Sequence, residues 1–513
     1  MVTLPESVPR VFPRRLPRPT RRQLARRGRT IGMVATRHFS RQALRQLRHA
    51  RRGPLPASEL ARPLRRTFED LGGTFMKFGQ LIASAPGVFG NGLSDEFRSC
   101  LDTGPAVPFA EVQRTIEADL GMPICEAYAD IEPRPIGRAS IAVVHRARLA
   151  DGRPVAVKVL RPGVDKLVAT DLDLLQPLLD LVARQTGDQT AGSLLQMLDG
   201  FRDQIGEELD LRNEARAMTH FRRLLAEVDL PKVAVPEVVP ELSGPNVLTM
   251  ELFDGVPIDD LAAATEYGVD PAPLLEQVVR GFMLTTVRWG AFHGDVHAGN
   301  LFLLRDGRVG VLDWGIVGRL DEATHRFFVR MLQAVLGDDE AWDDVAAHLV
   351  RTYGPAMRDA LGLDDAQLAV FVRGIIEPVL TRPFGEVSLS DIITAPQAQL
   401  AKARGIEAHD WSVRTVMKRL RAQRKLRRAA EAGGGVASDF DRSTFLLGKQ
   451  LMYFERYGKL FLADTPLLDR EFFATVLAGA QQLPGGRRSP LGHEAPRANE
   501  TSPANETPPG NEQ

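Results

Sequence analysis

Three residues in the second half of the chain have the types and spacing that phosphoryl transfer asks for. Asp295 and Asn300 stand five apart in Phe292-His293-Gly294-Asp295-Val296-His297-Ala298-Gly299-Asn300, and Asp313 follows the short apolar run Val309-Gly310-Val311-Leu312 after the turn signal Asp306-Gly307. Moving a phosphoryl group needs little covalent help; a site must position an acceptor and neutralise phosphate charge with metal ions. A carboxylate at Asp295 suits an acceptor hydroxyl and its proton. Mg²⁺ prefers oxygen ligands and keeps several waters, so Asp313 and the amide oxygen of Asn300 suffice beside the phosphates of a nucleotide. Taken singly, Asp313-Trp314-Gly315 is a turn sequence, because Gly tolerates positive φ and Asp bonds its own backbone. The two motifs joined by a short hairpin point to a phosphotransferase using ATP and Mg²⁺.

Such a site needs elements that bring cations and a nucleotide to it. Ile141 to Ala147 and Val155 to Leu160 read as paired strands around the turn Asp151-Gly152, and Lys158 interrupts the second. A lysine there is costly unless it is paired or faces phosphate; it is expected to hold the nucleotide phosphates and to pair with a helix carboxylate. The helical row Leu198, Phe201, Ile205, Leu209 is followed by Glu214, the expected partner, with a solvated acidic face as the bland alternative. A purely helical phase puts Glu207, Asp210 and Glu214 on one stripe. No Gly-x-Gly-x-x-Gly precedes Lys158; Pro135-Ile136-Gly137-Arg138-Ala139-Ser140 takes that place, which makes Ala139 and Ser140 candidate nucleotide contacts. Val247 to Gly255 reads as a buried strand entering a turn, where backbone groups of Glu251 and Leu252 would face an adenine.

At 513 residues, with 44% hydrophobic and 25% charged residues, the chain has ample core for a multi-part soluble enzyme. The 65 basic and 65 acidic residues balance, but residues 1–52 hold fifteen Arg and a single acid, Glu6. A basic arm on an acidic body results. Residues 1–22 are expected to be disordered, and a basic amphipathic helix to follow from Leu24 to Leu47. That helix could lie on anionic lipid, touch nucleic acid phosphates, serve as a transit segment, or simply pack on the acidic body. Only Ser7 and Ser40 supply serine, which speaks against transit, and nucleic acid is not the expected partner. Cys100 and Cys125 are too few for a disulfide framework, and no window of about eighteen uninterrupted apolar residues marks a membrane span.

After Gly53-Pro54-Leu55-Pro56 the row Leu64, Phe68, Leu71, Phe75, Phe78 has one helical period, with Lys77 among core positions. Unless Lys77 is paired it is a snorkelling side chain. Beyond Gly315 the pattern is helical to about residue 480, with a basic helix through Lys418, Arg421, Lys425 and Arg428 that ends at Gly433-Gly434-Gly435. Leu447, Leu451, Phe454 and Leu460 are expected in core, and the tail from Pro484, repeating Ala-Asn-Glu-Thr, to be disordered.

Together these segments resemble the UbiB family of atypical kinases, also called ABC1 or AarF, over roughly residues 60–460. Lys77-Phe78-Gly79-Gln80 resembles its Lys-x-Gly-Gln signature, the Lys158 strand its lysine strand, Glu208-Leu209-Asp210 its Glu-x-Asp element with Glu214 its helix glutamate, His293-x-Asp295 to Asn300 its catalytic loop, and Asp313-Trp314-Gly315 its metal motif. The resemblance implies an α+β, bilobal protein-kinase-like fold with a helical N-terminal extension and a mostly helical C-lobe. It divides the chain into an arm (1–56), a helical extension (57–130), an N-lobe (131–252), a C-lobe (253–483) and a tail (484–513). It implies ATP and Mg²⁺ as cofactors, Lys77, Gln80, Glu208 and Asp210 as regulatory residues covering the nucleotide pocket, and a lipid or protein acceptor. The expected setting is isoprenoid-quinone or other lipid metabolism in the cytoplasm, against a membrane. Two departures stand out: Gly137-Arg138-Ala139-Ser140 replaces the family's Ala-rich loop, and Ala142-Val143 its following Gly-Gln. A small-molecule phosphotransferase of the aminoglycoside or choline kinase type, and a nucleotide-gated scaffold with little turnover, are the alternatives.

Overall fold

The computed structural model describes residues 13–48, 57–84, 91–97, 104, 106–186, 198, 200–228, 230–353, 363–386, 442–464, 473, 474 and 477. The expectations placed on residues 1–12, Cys100, the basic helix around 418–428 with its glycines, and the tail from 484 lie outside the described residues. The chain is α+β. Strands β1 (Asp130–Ile131), β3 (Ala142–Arg148), β4 (Pro154–Leu160) and β6 (Val247–Glu251) form an antiparallel sheet in that order, with β2 (Gly137–Arg138) added on β3.

Strand β4 is buried on both faces, which is why it reads as a nearly continuous apolar run. Val155, Val157 and Val159 meet Val112 and Ile116 of the helix Phe109–Leu120, while Ala156 and Leu160 face the larger core. Alternation along a strand then sends Lys158 to the Ala156 side, away from that helix. Each fully buried valine here contributes roughly 1.5–3 kcal/mol. The helix Phe109–Leu120 therefore packs as the sheet's outer cover, and Asp130–Ile131 pairs as its first strand.

The extension begins with the arm helix Arg21–Arg48, followed by Ala57–Leu71 and Gly73–Ser84. The single helical row expected from Leu64 to Phe78 is broken at Gly72 and Gly73, with φ of 63° and 50°, a left-handed backbone that glycine adopts without steric cost. The turn folds the two pieces together, so Phe68 still meets Phe75 with ring centroids 5.3 Å apart. The arm packs on the body. Arg27 reaches Asp171 at 2.6 Å and the Leu71 carbonyl at 3.0 Å, and Arg14 donates to the Leu209 carbonyl (3.1 Å) and Asn246 Oδ1 (2.7 Å). Hydrogen bonds thus fix the end of a segment whose few apolar groups had suggested disorder up to residue 22.

In the second half, β5 (Val233–Ala234), β10 (Val309–Val311), β9 (Leu301–Leu304) and β7 (Gly255–Pro257) form a four-stranded sheet, and β8 (Ala291–His293) pairs with β11 (Val317–Arg319). Strand β11 interrupts the all-helical pattern expected after Gly315. Helices follow, ending among the longer elements with Arg442–Phe461. In the helix Arg442–Phe461, Leu447 and Phe454 are buried and Leu451 is half-buried. Leu460, expected in core, is 65% exposed, because the stripe meeting the core is Leu446, Leu447, Gln450, Phe454 and Tyr457.

Candidate functional site

Lys158 projects from β4 into a cleft and places its ammonium 2.8 Å from both carboxylate oxygens of Glu214, and 3.5 Å from Asp313 Oδ1. Burial disfavours the charged lysine, but the carboxylates of Asp313 and Glu214 outweigh it and hold its pKa above the ordinary value. Glu214 stands in the first turn of the helix Leu211–Glu227. That helix starts where the preceding one stops: Asp210, with φ −127° and ψ 97°, is its N-cap and accepts from the Arg212 N–H at 3.1 Å. The cap breaks the helical phase. Glu208 meets Lys77 at 2.8 Å, while the Asp210 carboxylate is taken by the Arg212 guanidinium at 2.6 Å.

The loop 293–300 and the Asp313 motif are tied through His293, which is fully buried. Its Nδ1 accepts the Asp295 N–H at 3.0 Å, so the proton sits on Nε2, which donates to the Asp313 carbonyl at 2.6 Å. Burial pushes its pKa down to about 4, which keeps this neutral tautomer in place. Trp314 packs beside it at 4.7 Å between ring centroids and anchors its indole N–H on the Val311 carbonyl at 2.8 Å. Asn300, on the short turn Ala298–Asn300, donates its amide N–H to the Asp295 carbonyl at 2.9 Å, which leaves the amide oxygen as its acceptor. Burial works to raise the pKa of Asp313, yet the charges of Lys158 and Lys77 and the Gly315 N–H hold it well below the usual carboxylate range.

Lys77, Ala139, Lys158, Glu208, Glu214 and Asp313 line one small cavity. Its volume of about 20 Å³ has room for a water and is too small for a nucleotide, and the Lys77–Glu208 pair forms part of its wall. Asp210 lines it too, and Ser140 is buried in the adjoining loop, whose Ala139 carbonyl accepts from Arg161 Nε at 2.9 Å. Gln80 is half-buried on the same helix as Lys77. Glu251 and Leu252 are not brought to this cavity. Their N–H groups donate within the chain, to the Glu237 carbonyl at 2.8 Å and to that of Pro154 at 3.5 Å, as strand pairing beside β4 requires.

Sequence reasoning missed Lys449. This residue of the helix Arg442–Phe461 stands 2.8 Å from Asp295 Oδ1, and its side chain is only 14% exposed. The readable signal was a polar pair of residues, Lys449-Gln450, between the apolar Leu447 and Leu451.

The donor set fits a hard divalent cation. Asp313 is held ionised and Asn300 presents an amide oxygen, while among the described residues no group of three His, Cys, Asp or Glu could hold a metal by itself. Remaining coordination would fall to phosphates and water.

A mixed helix-and-sheet chain with a lysine strand, a buried histidine-tied loop and an Asp-x-Gly motif belongs with the kinase-like proteins. Residues 99–345 match the ABC1 atypical kinase-like domain. A chloroplastic aarF domain-containing protein kinase of Arabidopsis thaliana, itself named as uncharacterised, is 32% identical over 79% of this chain and 72% of its own length. An uncharacterised Mycobacterium tuberculosis protein is 33% identical over 80% and 76%, and a probable protein kinase UbiB of Cellvibrio japonicus 33% identical over 66% and 61%. Among solved structures, the complex of Mycobacterium tuberculosis Rv3197 with erythromycin aligns at 23% identity and a TM-score of 0.40, over 71% of this chain and 95% of that one. The chain belongs to the UbiB/ABC1/AarF family.

Proposed function

We propose that the protein is an ATP- and Mg²⁺-dependent atypical kinase or ATPase, with two lobes about the cleft, acting in isoprenoid-quinone or other lipid metabolism at an anionic membrane surface. The observation that carries this reading is the convergence of Lys158, Glu214 and Asp313 in one cleft, tied through His293 to Asp295 and Asn300. Lys158, steadied by Glu214, binds the nucleotide phosphates. Asp313 and Asn300 hold Mg²⁺, which neutralises phosphate charge. Asp295 takes the proton of an acceptor hydroxyl as that oxygen bonds to the γ-phosphorus and the bond to the leaving diphosphate breaks. Relatives named protein kinases support the kinase direction. The exposed arginines of the arm, among them Arg22, Arg26 and Arg29, suit an anionic surface in the cytoplasm. Among the described residues no helix is long and apolar enough to cross a membrane.

A second reading has its own observation. With Lys77 and Glu208 paired at 2.8 Å on the wall of a cavity of about 20 Å³, the protein would bind nucleotide as a gated scaffold and turn it over slowly. One experiment separates the two and tests both: Mg²⁺-ATP binding by calorimetry and phosphate release, with and without anionic vesicles, for the wild type and Asp313→Asn. The enzyme reading expects release that vesicles raise, the scaffold reading tight binding without release. Both expect Asp313→Asn to lose about 100-fold in Mg²⁺-ATP affinity, and an unchanged affinity overturns both.

A further inference from the structure

The helix Arg442–Phe461 lies along the catalytic loop with one stripe of its surface. Leu446 packs on Gly294, where an added Cβ would come within 3.2 Å of its Cδ2 and 2.9 Å of Ile316 Cγ2. Lys449 pairs with Asp295 at 2.8 Å, Tyr453 stands 6.5 Å from the His297 ring, and the Tyr457 hydroxyl donates to the Val296 carbonyl at 2.6 Å. Residues 446, 449, 453 and 457, at helical spacing, therefore address the loop at 294–297.

Within that stripe Lys449 is the costly member. An ammonium 14% exposed, over the Tyr453 ring at 5.8 Å, loses most of its hydration. A neutral hydrogen-bonding residue would hold the loop as the two tyrosines do. A cation beside the carboxylate expected to receive the acceptor's proton is instead placed where negative charge on a transferring phosphoryl group must be met. The pair to Asp295 Oδ1 is one of charge at 2.8 Å, and the ammonium carries three N–H donors.

We propose that Lys449 is a catalytic residue: in the loaded site its ammonium contacts the γ-phosphoryl oxygens of the nucleotide beside Asp295, so that the C-terminal helix completes the active site. This rests on the reading of the cleft as a Mg²⁺-nucleotide site. The cation on the β4 side, Lys158, serves the phosphates nearer the sheet; Lys449 serves the transferring group from the opposite side. No bond to Lys449 forms or breaks.

The test compares ATP and ADP binding, each with Mg²⁺, by calorimetry for the full-length wild type, Lys449→Met and Lys449→Arg. A contact with the γ-phosphoryl group requires Lys449→Met to lose about tenfold in ATP affinity while ADP affinity stays within about twofold, and Lys449→Arg to keep most of the difference between ATP and ADP. ADP binding doubles as the check that the variant is folded. Equal weakening of both nucleotides makes Lys449 a residue that only holds the loop, and unchanged ATP affinity denies the contact; either overturns the proposal alone. A wild type that binds neither nucleotide overturns the reading of the cleft, and this proposal with it.

Discussion

Two lysine–glutamate pairs close the same cleft from different sides, with equal lengths of 2.8 Å and similar burial: Lys158 and Glu214 at 14% and 4% exposure, Lys77 and Glu208 at 12% and 6%. What differs is the mounting. Lys158 sits in a strand hydrogen-bonded on both sides, opposite Val144 and Leu248, and its Asp313 neighbour joins the catalytic loop. Lys77 arrives on a twelve-residue helix held by aromatic packing and, through its neighbour helix, by Arg27. A pair on a sheet is framework. One on a docked helix is expected to act as a closure that can be released, and both pairs line the same cavity.

The largest effect expected from this contrast is on the framework. Lys158→Ala leaves Glu214 buried without its cation and Asp313 without its nearest one, and one-sided loss of a buried pair costs about 3–5 kcal/mol. Denaturant unfolding should show that loss, together with loss of nucleotide binding. A stability within about 1 kcal/mol of wild type would mean that the sheet does not depend on the pair, and the contrast would fail on its firmer side.

The closure should respond differently. Lys77→Ala opens the cavity, so it should raise autophosphorylation or change nucleotide selectivity, and Glu208→Gln should move the same property. Groups in contact couple by about 0.5–3 kcal/mol, whereas distant ones add. A double-mutant cycle on ATP affinity therefore decides whether the 2.8 Å pair is energetically real. Strict additivity, with wild-type autophosphorylation in Lys77→Ala, would reduce Lys77 to a snorkelling residue.

How far this could be read from the chain varies with what each residue depends on. Lys158 and Glu214 were legible because a lysine in an apolar strand must be answered, and strand alternation fixes its direction without reference to anything distant. Between Glu207 and Glu208 the helical phase and the family resemblance pointed different ways; Asp210 ahead of Leu211 is an N-cap that resets that phase. Gly72-Gly73 broke the extension's helical row in the same way. Backbone groups of Glu251 and Leu252 were expected to face an adenine; in the fold their N–H groups donate to the Glu237 and Pro154 carbonyls, a pairing that depends on segments distant in sequence. Lys449 was illegible for another reason. Its significance depends on a helix from the far end of the chain settling on the catalytic loop, and periodicity within that helix shows a buried stripe without saying what covers it.

The smallest effect concerns the arm, which reaches Asp171 and Leu71 through Arg27 and Leu209 and Asn246 through Arg14. Arg27 spends its charge on Asp171 and the end of the helix Ala57–Leu71, but Arg29 on the same helix is exposed. If the exposed face lies on lipid, each arginine near an anionic surface contributes about 1 kcal/mol, roughly fivefold in affinity. Arg29→Gln should lower sedimentation with anionic vesicles by about that factor at low salt. The difference should shrink as ionic strength shortens the Debye length to about 8 Å or less. Because Arg27 is untouched, the extension stays docked, so ATP affinity without vesicles should not change. Equal sedimentation of wild type and Arg29→Gln at low salt would place any membrane contact elsewhere and leave the arm as a strap on the body. A fall in ATP affinity without vesicles would instead show that the arm's outer face bears on the closure, and the separation of framework from closure would then need to include it.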